Sequence, residues 1–315
     1  MKDKLEIFII TYNRAKYLKN TLKSLFEDNS PLKNCDITVI NNNSIDATDE
    51  ICCEYLSKFH NFHYVKNRYN IGFSDITQAY FMSTKEYIWV LADDDYLDFS
   101  HFSELKEAIN RGDDTICCCR HILDTPQKAN NLSDIFIQLT LVSAGIYRRS
   151  IFDDTCMKNM HENNYTMFPH MVLVVTAINK GLKITVLEHE ILKIGIHTDE
   201  TDCSYNRGSD EKFVFPRNKN MNWICGFANI CSGLHDKNFA HDVMRTAISK
   251  DFVYGSIDNF VVSVINSYRH LANWGNLADI ISNVDKILRH KLIFRFLYVL
   301  CTSKFKNLFK VKNEK

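Results

Sequence analysis

The sequence carries no excess charge of either sign: 38 Lys and Arg balance 38 Asp and Glu over 315 residues. Nothing global therefore marks a nucleic-acid binder. Glycine is sparse, at 10 residues. Neither Gly-x-Gly-x-x-Gly nor a Gly-x-x-x-x-Gly-Lys loop occurs, which argues against a dinucleotide-binding enzyme and against a glycine-cradled phosphate. No run approaches about 18 uncharged apolar residues, so no segment reads as a membrane span. No Cys/His cluster shows zinc spacing. Met1-Lys2-Asp3-Lys4 leads straight into an apolar run, so a secretory leader is not expected. The 11 cysteines are an odd number, and many sit in apolar stretches such as Cys117-Cys118-Cys119. Reduced, buried thiols in the cytosol are expected.

What is present is an ordinary core composition, 45% apolar, and one distinctive stretch. The run Glu86-Tyr87-Ile88-Trp89-Val90-Leu91-Ala92 ends in Asp93-Asp94-Asp95. It is too short for a helix and rich in aromatic and branched residues, so it reads as a buried strand. Three adjacent carboxylates repel one another, and a cation at the strand end would remove that cost. Two readings stand: a site for Mg²⁺ or Mn²⁺ with a substrate diphosphate, or a solvated acidic turn.

Upstream, strand-like runs at 5–10, 36–40 and 62–65 alternate with helical spacing in Tyr17, Leu18, Leu22, Leu25 and Phe26 and in Ile51, Tyr55 and Leu56. Such alternation predicts a parallel α/β sheet with ligands at the carboxyl ends of its strands. The loops there hold Thr11, Asn13, Arg14, Asn41, Asn43, Asp46 and Asn70. All can hydrogen-bond a nucleoside or a sugar, and all are also residue types that caps and turns favour.

Ile9-Ile10-Thr11-Tyr12-Asn13-Arg14, then Val39-Ile40-Asn41-Asn42-Asn43-Ser44-Ile45-Asp46-Ala47-Thr48, then Asn70-Ile71-Gly72, then Asp93-Asp94-Asp95 resembles, in this order, a family 2 glycosyltransferase of the GT-A fold. The resemblance is strong over about the first 100 residues and continues weakly to about 205. It implies a Rossmann-like, mostly parallel sheet, a nucleotide-diphosphate sugar donor, Mn²⁺ or Mg²⁺, and inversion at the anomeric carbon. It places Thr11, Tyr12, Asn13, Arg14, Asn41, Asn43, Asp46, Asn70, Gly72, Asp93 and Asp94 at the nucleotide. Asn41 takes the position of a base-touching Asp. Asp93 and Asp95 would bracket metal and diphosphate, although Ala92 stands where many members have another acid. His197 resembles a histidine that reaches the metal in many such domains; a surface strand-end residue is the other reading. Leu141 to Arg149 resembles the sugar-pocket segment, where Arg148 and Arg149 would meet phosphate or cap a strand.

Inverting transfer needs a group to take the acceptor's proton. The family places it about a dozen residues before a Gly-x-Lys, here Gly181-Leu182-Lys183, and counting back reaches Pro169-His170. His170 is thus the expected base, or else a packed residue at a helix start. Asp153 and Asp154 are the fallback carboxylates. Residues 1–205 are expected to form the GT-A domain, 206–220 a lid or linker, and 221–315 a helical region. Its tail, residues 286–315, interleaves basic, aromatic and aliphatic residues. It reads as a helix on an anionic membrane surface, at the inner face of the cell membrane, or as a core-packed helix with a basic face. The expected function is glycosyl transfer to a glycan or lipid-linked acceptor in surface polysaccharide or glycoconjugate assembly. The alternatives are a sugar nucleotidyltransferase, whose glycine-rich loop is missing after the first strand, and an inactive membrane-surface scaffold with the same fold.

Overall fold

The computed structural model describes residues 1–119, 131–164, 166–193 and 219–247. Strand and helix alternate as β1 (Leu5–Thr11), α1 (Ala15–Phe26), β2 (Asp36–Asn41), α2 (Thr48–Lys58), β3 (Phe62–Lys66), α3 (Ser74–Met82) and β4 (Tyr87–Ala92). Then come β5 (Tyr96–Leu97), α4 (Phe102–Arg111), β6 (Thr115–Cys117), α5 (Leu132–Gln138), β7 (Gly145–Arg148), α6 (Asp154–Glu162), α7 (Met171–Asn179), β8 (Ile184–Val186) and β9 (Leu192–Lys193).

The strands order as β3-β2-β1-β4-β7-β6-β8 in one seven-stranded sheet, and β5 pairs with β9 in a small second one. β1, β2, β3 and β4 run parallel, with Ile10 opposite both Ile40 and Ala92. β1, β2 and β4 are covered on both faces, which is why they read as near-continuous apolar runs, whereas the edge strand β3 buries only Phe62. Leu5, Ile7, Ile9, Ile37, Val39 and all of Tyr87 to Leu91 are buried. The helices close over them with Leu18, Leu22 and Leu25 of α1 and with Leu105, Ala108 and Ile109 of α4. Gly112 ends α4 at φ +76°, a left-handed cap that glycine reaches without strain.

From β1 the chain winds outward to β2 and β3, then returns to β4 on β1's other side. That reversal opens a crevice at the carboxyl ends of β1 and β4, where open α/β sheets bind ligands. β7 is antiparallel to both neighbours, with Tyr87 opposite Arg148 and Trp89 opposite Ile146. It therefore leaves the sheet at the edge where β4 begins, opposite the acidic triplet. The parallel pattern expected from the sequence does not extend to this strand.

The described cysteines carry free thiols. Cys117, Cys118 and Cys119 are buried, as an apolar run predicts. The described residues contain no helix long and apolar enough to cross a membrane.

The chain divides into two compact units, Met1–Ile196 and His197–Lys315. In the second, α8 (Lys219–Ser232) and α9 (Lys237–Ala247) pack on each other. Phe227, Cys231, Val243 and Met244 are buried. His197, residues 206–218 of the lid or linker expected at 206–220, and the basic tail of 286–315 lie outside the described residues, while residues 219 and 220 begin α8.

The core leaves no room at Gly145. A Cβ there would meet the Tyr147 hydroxyl at 2.3 Å and its ring carbon Cζ at 2.5 Å, and Tyr147 is fully buried. Gly145→Ala should destabilise the protein by roughly 1–3 kcal/mol through overpacking, read as a lower urea midpoint. An unchanged midpoint would show that Tyr147 has space to move.

Candidate functional site

The crevice between β1 and β4 is closed by charge. Arg14, in the loop after β1, donates to Asp93 Oδ1 at 2.8 Å and also to Asp94. Thr11 Oγ1 donates to the other Asp93 oxygen at 2.6 Å. From α1, Thr21 Oγ1 reaches the Asp93 backbone carbonyl at 2.8 Å. Behind them, the Ala92 amide donates to Ser143 Oγ at 2.9 Å. Asp93 is only 2% and Asp95 only 7% exposed, so these acids are not a solvated turn. Burial works against the Arg14 charge, but Asp93 and Asp94 outweigh it and raise its pKa.

The loops after β1 and β2 are stitched together. Asn13 and Asn43 sit at φ +53° and +67°, a left-handed region that Asn tolerates better than most residues. The Asn13 amide donates to Ser44 Oγ, and its side-chain oxygen accepts from the Ile45 amide, both at 2.8 Å. Asp46 accepts from the Ala15 amide at 2.9 Å and from Thr48 Oγ1 at 2.5 Å, so it caps α1 and α2 together. Asn70 Oδ1 accepts from the Gly72 amide at 2.9 Å, with Gly72 at φ +59°. Tyr12 is half-buried in the β1 loop.

Asn41 departs from its expected place against a base. It is fully buried, donating to Asp49 Oδ1 at 3.0 Å and Tyr64 Oη at 2.7 Å and accepting from the Ser44 amide at 2.7 Å. Its hydrogen-bonding capacity thus goes to holding the loop. Asp49, in turn, is kept below the usual carboxylate range by hydrogen bonds from Lys66 and Tyr64.

The residue that sequence reasoning passed over is Asn42. Its amide donates to Asn70 Oδ1 at 2.9 Å, the Gly72 carbonyl at 3.2 Å and Asp75 Oδ2 at 3.2 Å. Its oxygen accepts from the Ile71 amide at 2.9 Å. Asn42 therefore joins the loops after β2 and β3 to the start of α3. Alternation along β2 puts it opposite Asn41, a signal the Asn triplet already held. Asp75, also missed, is buried beside this hub. Burial, reinforced by the charge of Asp93, raises its pKa to about 7.

His170 lies just before α7, a helix whose last residues return to Asp153: Lys180 Nζ is 2.6 Å from Asp153 Oδ2. The His170 ring is 1% exposed. Nε2 faces the carbonyl oxygens of Leu139 at 3.1 Å and Thr140 at 3.2 Å, so Nε2 carries the proton. Nδ1 is buried and meets no hydrogen-bond partner among the described residues. Burial lowers the ring's pKa from 6.5 to about 4.

Asp153 and Asp154, the fallback carboxylates, lie at the start of α6. They follow β7 off the sheet edge opposite Asp93. Asp153 caps α6 by accepting from the Cys156 amide at 2.7 Å, and its bond from Lys180 holds its pKa down. The paired arginines lie at that same edge. Arg148 Nε donates to Glu86 at 3.0 Å, and Arg149 donates to the Ser83 hydroxyl at 3.2 Å. They tie the sheet's far end.

With this geometry in place, comparison with known proteins is decisive on family. The sequence model described as Glycosyl transferase family 2 matches residues 6–181, more than half of the chain. The chain belongs to glycosyl transferase family 2. Over 92 residues, 29% of its length, it is 33% identical to the uncharacterized glycosyltransferase MG025 of Mycoplasma genitalium. That match spans only 31% of the relative's own length. The fold is that of S. aureus TarS residues 1–349, solved in complex with UDP-GlcNAc. The two align with a TM-score of 0.55 and 15% identity over 91% of this chain and 90% of that one. TarS solved in complex with UDP gives 0.54 with the same identity and coverage. The fold is thus GT-A, as the order of motifs implied.

Two buried groups, His170 and Asp75, titrate in opposition. His170 has a folded-state pKa of about 4 against an ordinary 6.5. Its contribution is present above 6.5 and lost as pH falls toward 4. Asp75 is raised from 3.8 to about 7, so its contribution is full below 3.8 and lost as pH rises through 7. Relative to the unmodified protein, Asp75→Asn should gain stability as pH rises across this window, on the order of 3 kcal/mol. His170→Gln should gain as pH falls. Urea midpoints between pH 4 and pH 7.5 read both, and midpoints that stay parallel to the unmodified protein's would contradict them.

Proposed function

We propose that the chain transfers a sugar from a nucleotide-diphosphate donor to a hydroxyl acceptor, with inversion at the anomeric carbon. The observation that carries this reading is the crevice itself. Arg14, Asp93 and Asp94 meet at the switch point of a GT-A sheet, beside loops that Asn42 and Asp46 hold in place. The TarS fold relative solved with UDP-GlcNAc supports a nucleotide-sugar ligand. Exposed Ile45, Tyr69 and Ile71 rim the same loops and suit contact with a base or a sugar ring.

A divalent ion fits the donor set. Asp93 and Asp95, set together with Asp94 at the end of β4, are the carboxylates that would hold Mn²⁺ or Mg²⁺, hard ions that take oxygen ligands. When bound, the ion neutralises charge on the leaving diphosphate. Arg14 adds a fixed positive charge at the same end of the crevice, and Thr11 and Thr21 keep the acidic turn in register with β1 and α1. The acceptor oxygen bonds to the anomeric carbon as the carbon–oxygen bond to the diphosphate breaks. The nucleoside diphosphate leaves with that electron pair. The hydroxyl proton goes to a base, in this reading Nδ1 of His170, whose tautomer the Leu139 and Thr140 carbonyls set; that atom is buried, so the acceptor must open the start of α7 to reach it. A lipid-linked acceptor would suit the interleaved basic and apolar tail at 286–315. Peripheral contact at the inner face of the cell membrane belongs to this reading, as does a role in surface glycan assembly.

Hydrolysis and transfer across a panel of nucleotide sugars with Mn²⁺ test the reading. Asp95→Asn should abolish transfer and weaken Mn²⁺-dependent nucleotide binding while the fold persists; full activity in that variant, or indifference to chelator, would remove the ion's role. His170→Ala should lower turnover by roughly 10²–10⁴-fold with donor affinity nearly unchanged. The acid limb of the unmodified protein's profile should lie near pH 4 rather than 6.5, since only the protonated ring cannot accept a proton. Lost donor binding in the variant would mark His170 as support for α7 instead. If a chain lacking 286–315 still floats with anionic liposomes, the tail is not the anchor.

A further inference from the structure

Among the described residues, three metal-type side chains outside the acidic triplet converge: His101, Glu104 and His189, with ligand atoms within 4.8 Å of one another. His101 immediately precedes α4 and Glu104 lies in its first turn, three positions apart and so on one face. His189 comes from the turn between β8 and β9. We propose that His101, Glu104 and His189 form a second metal site, of the zinc class, that clips the start of α4 to the β8–β9 turn.

The arrangement is organised before any ion arrives. Glu104 Oε2 accepts from the backbone amides of Glu188 at 2.7 Å and His189 at 3.1 Å. Its Oε1 lies 2.5 Å from Nδ1 of His189. Partial burial favours the neutral acid, but these bonds keep the Glu104 pKa below its ordinary value, so the carboxylate is charged. The Oε1–Nδ1 contact sets a carboxylate oxygen and an imidazole nitrogen side by side, and an ion taking the place of the proton between them would bind both. The His101 ring stacks on His189 with centroids 3.7 Å apart and 11° between planes. Parallel rings do not yet aim their lone pairs at one point. His101 is exposed, so a turn of its ring about χ2 aims a nitrogen at the Glu104–His189 pair without disturbing the core.

Two imidazoles and a carboxylate, open to water for a fourth ligand, are a donor set of zinc. Imidazole nitrogen favours Zn²⁺ over the hard Mg²⁺ and Mn²⁺ that carboxylates and diphosphate take. The two sites therefore select different ions. An ion here would add to the β5–β9 pairing and to the 2.7 Å bond from Lys193 to Asp98. Together they would fasten the segment that follows the acidic triplet. The site does not depend on glycosyl transfer, and its test does not read transfer.

The experiment is calorimetric titration of Zn²⁺ into the full, tag-free chain, with Mg²⁺ in excess and no nucleotide. One Zn²⁺ should bind with affinity on the order of micromolar. Glu104→Gln should weaken binding at least about 10-fold, because it removes the charged ligand, and the double variant His101→Ala/His189→Ala should abolish it. All three side chains are at the surface, so matching circular dichroism spectra will show that the variants fold. Zn²⁺ should also raise the thermal midpoint of the unmodified chain and not of the double variant. No uptake by the unmodified chain, or undiminished uptake by the double variant, would overturn the proposal; the latter would move the ion to thiols or histidines elsewhere.

Discussion

A single guanidinium holds the functional edge together. Three carboxylates in a row at the end of β4, two of them nearly enclosed, would repel one another and resist burial. Arg14 reaches across from the β1 loop to two of them, and Thr11 completes the hydrogen bonding of Asp93. Removing one partner of such a buried pair leaves an uncompensated charge, at a cost on the order of 3–5 kcal/mol. The pairing is possible because β1 and β4 are neighbours in the sheet though 79 positions separate Arg14 from Asp93. Sheet topology thus brings the counter-ion to the acids, and the acids fix the loop that carries the counter-ion.

The polar residues around this pair divide into two groups by what they touch. Asn41, Asn42, Asp46 and Asn70 make their hydrogen bonds within the loops, joining the ends of β1, β2 and β3 and capping α1 and α2. Their work is to pre-form a crevice, so that a ligand does not have to order it on binding. Arg14, Asp94 and Asp95 sit where the crevice meets charge, and His170 offers a buried acceptor atom at Nδ1. In the proposed transfer, ligand chemistry rests on a few groups held by many.

Much of this was legible in the sequence. Buried parallel strands read as near-continuous apolar runs, so β1, β2 and β4 were found within a residue or two of their ends. The acidic triplet stood out because charge abruptly follows apolar residues. Other features depend on contacts that no local pattern encodes. β7 looks like any short strand, and only its register with β4 reveals the reversed direction that carries Asp153, Arg148 and Arg149 to the far edge. Asn41 and Asn42 are identical neighbours in sequence, and their tasks separate only when Tyr64 and Asp75 pack against them. Glu104 and His189 are 85 positions apart, so zinc-type spacing along the chain could not disclose them. Family membership came through four ordered motifs, whereas the roles of single residues depended on the packing around them.

The central claim is that the four loops at the carboxyl ends of β1 to β4 form one nucleotide-diphosphate site built on the Arg14–Asp93 pair. Amide hydrogen exchange of the full chain, with and without UDP or GDP in the presence of Mn²⁺, tests it directly. Added nucleotide should slow exchange together in the segments around Thr11–Arg14, Asn41–Asp46, Asn70–Asp75 and Asp93–Leu97, because they share one hydrogen-bonded framework. The account is contradicted if neither nucleotide alters exchange there, or if protection falls on one segment while the other three exchange as before.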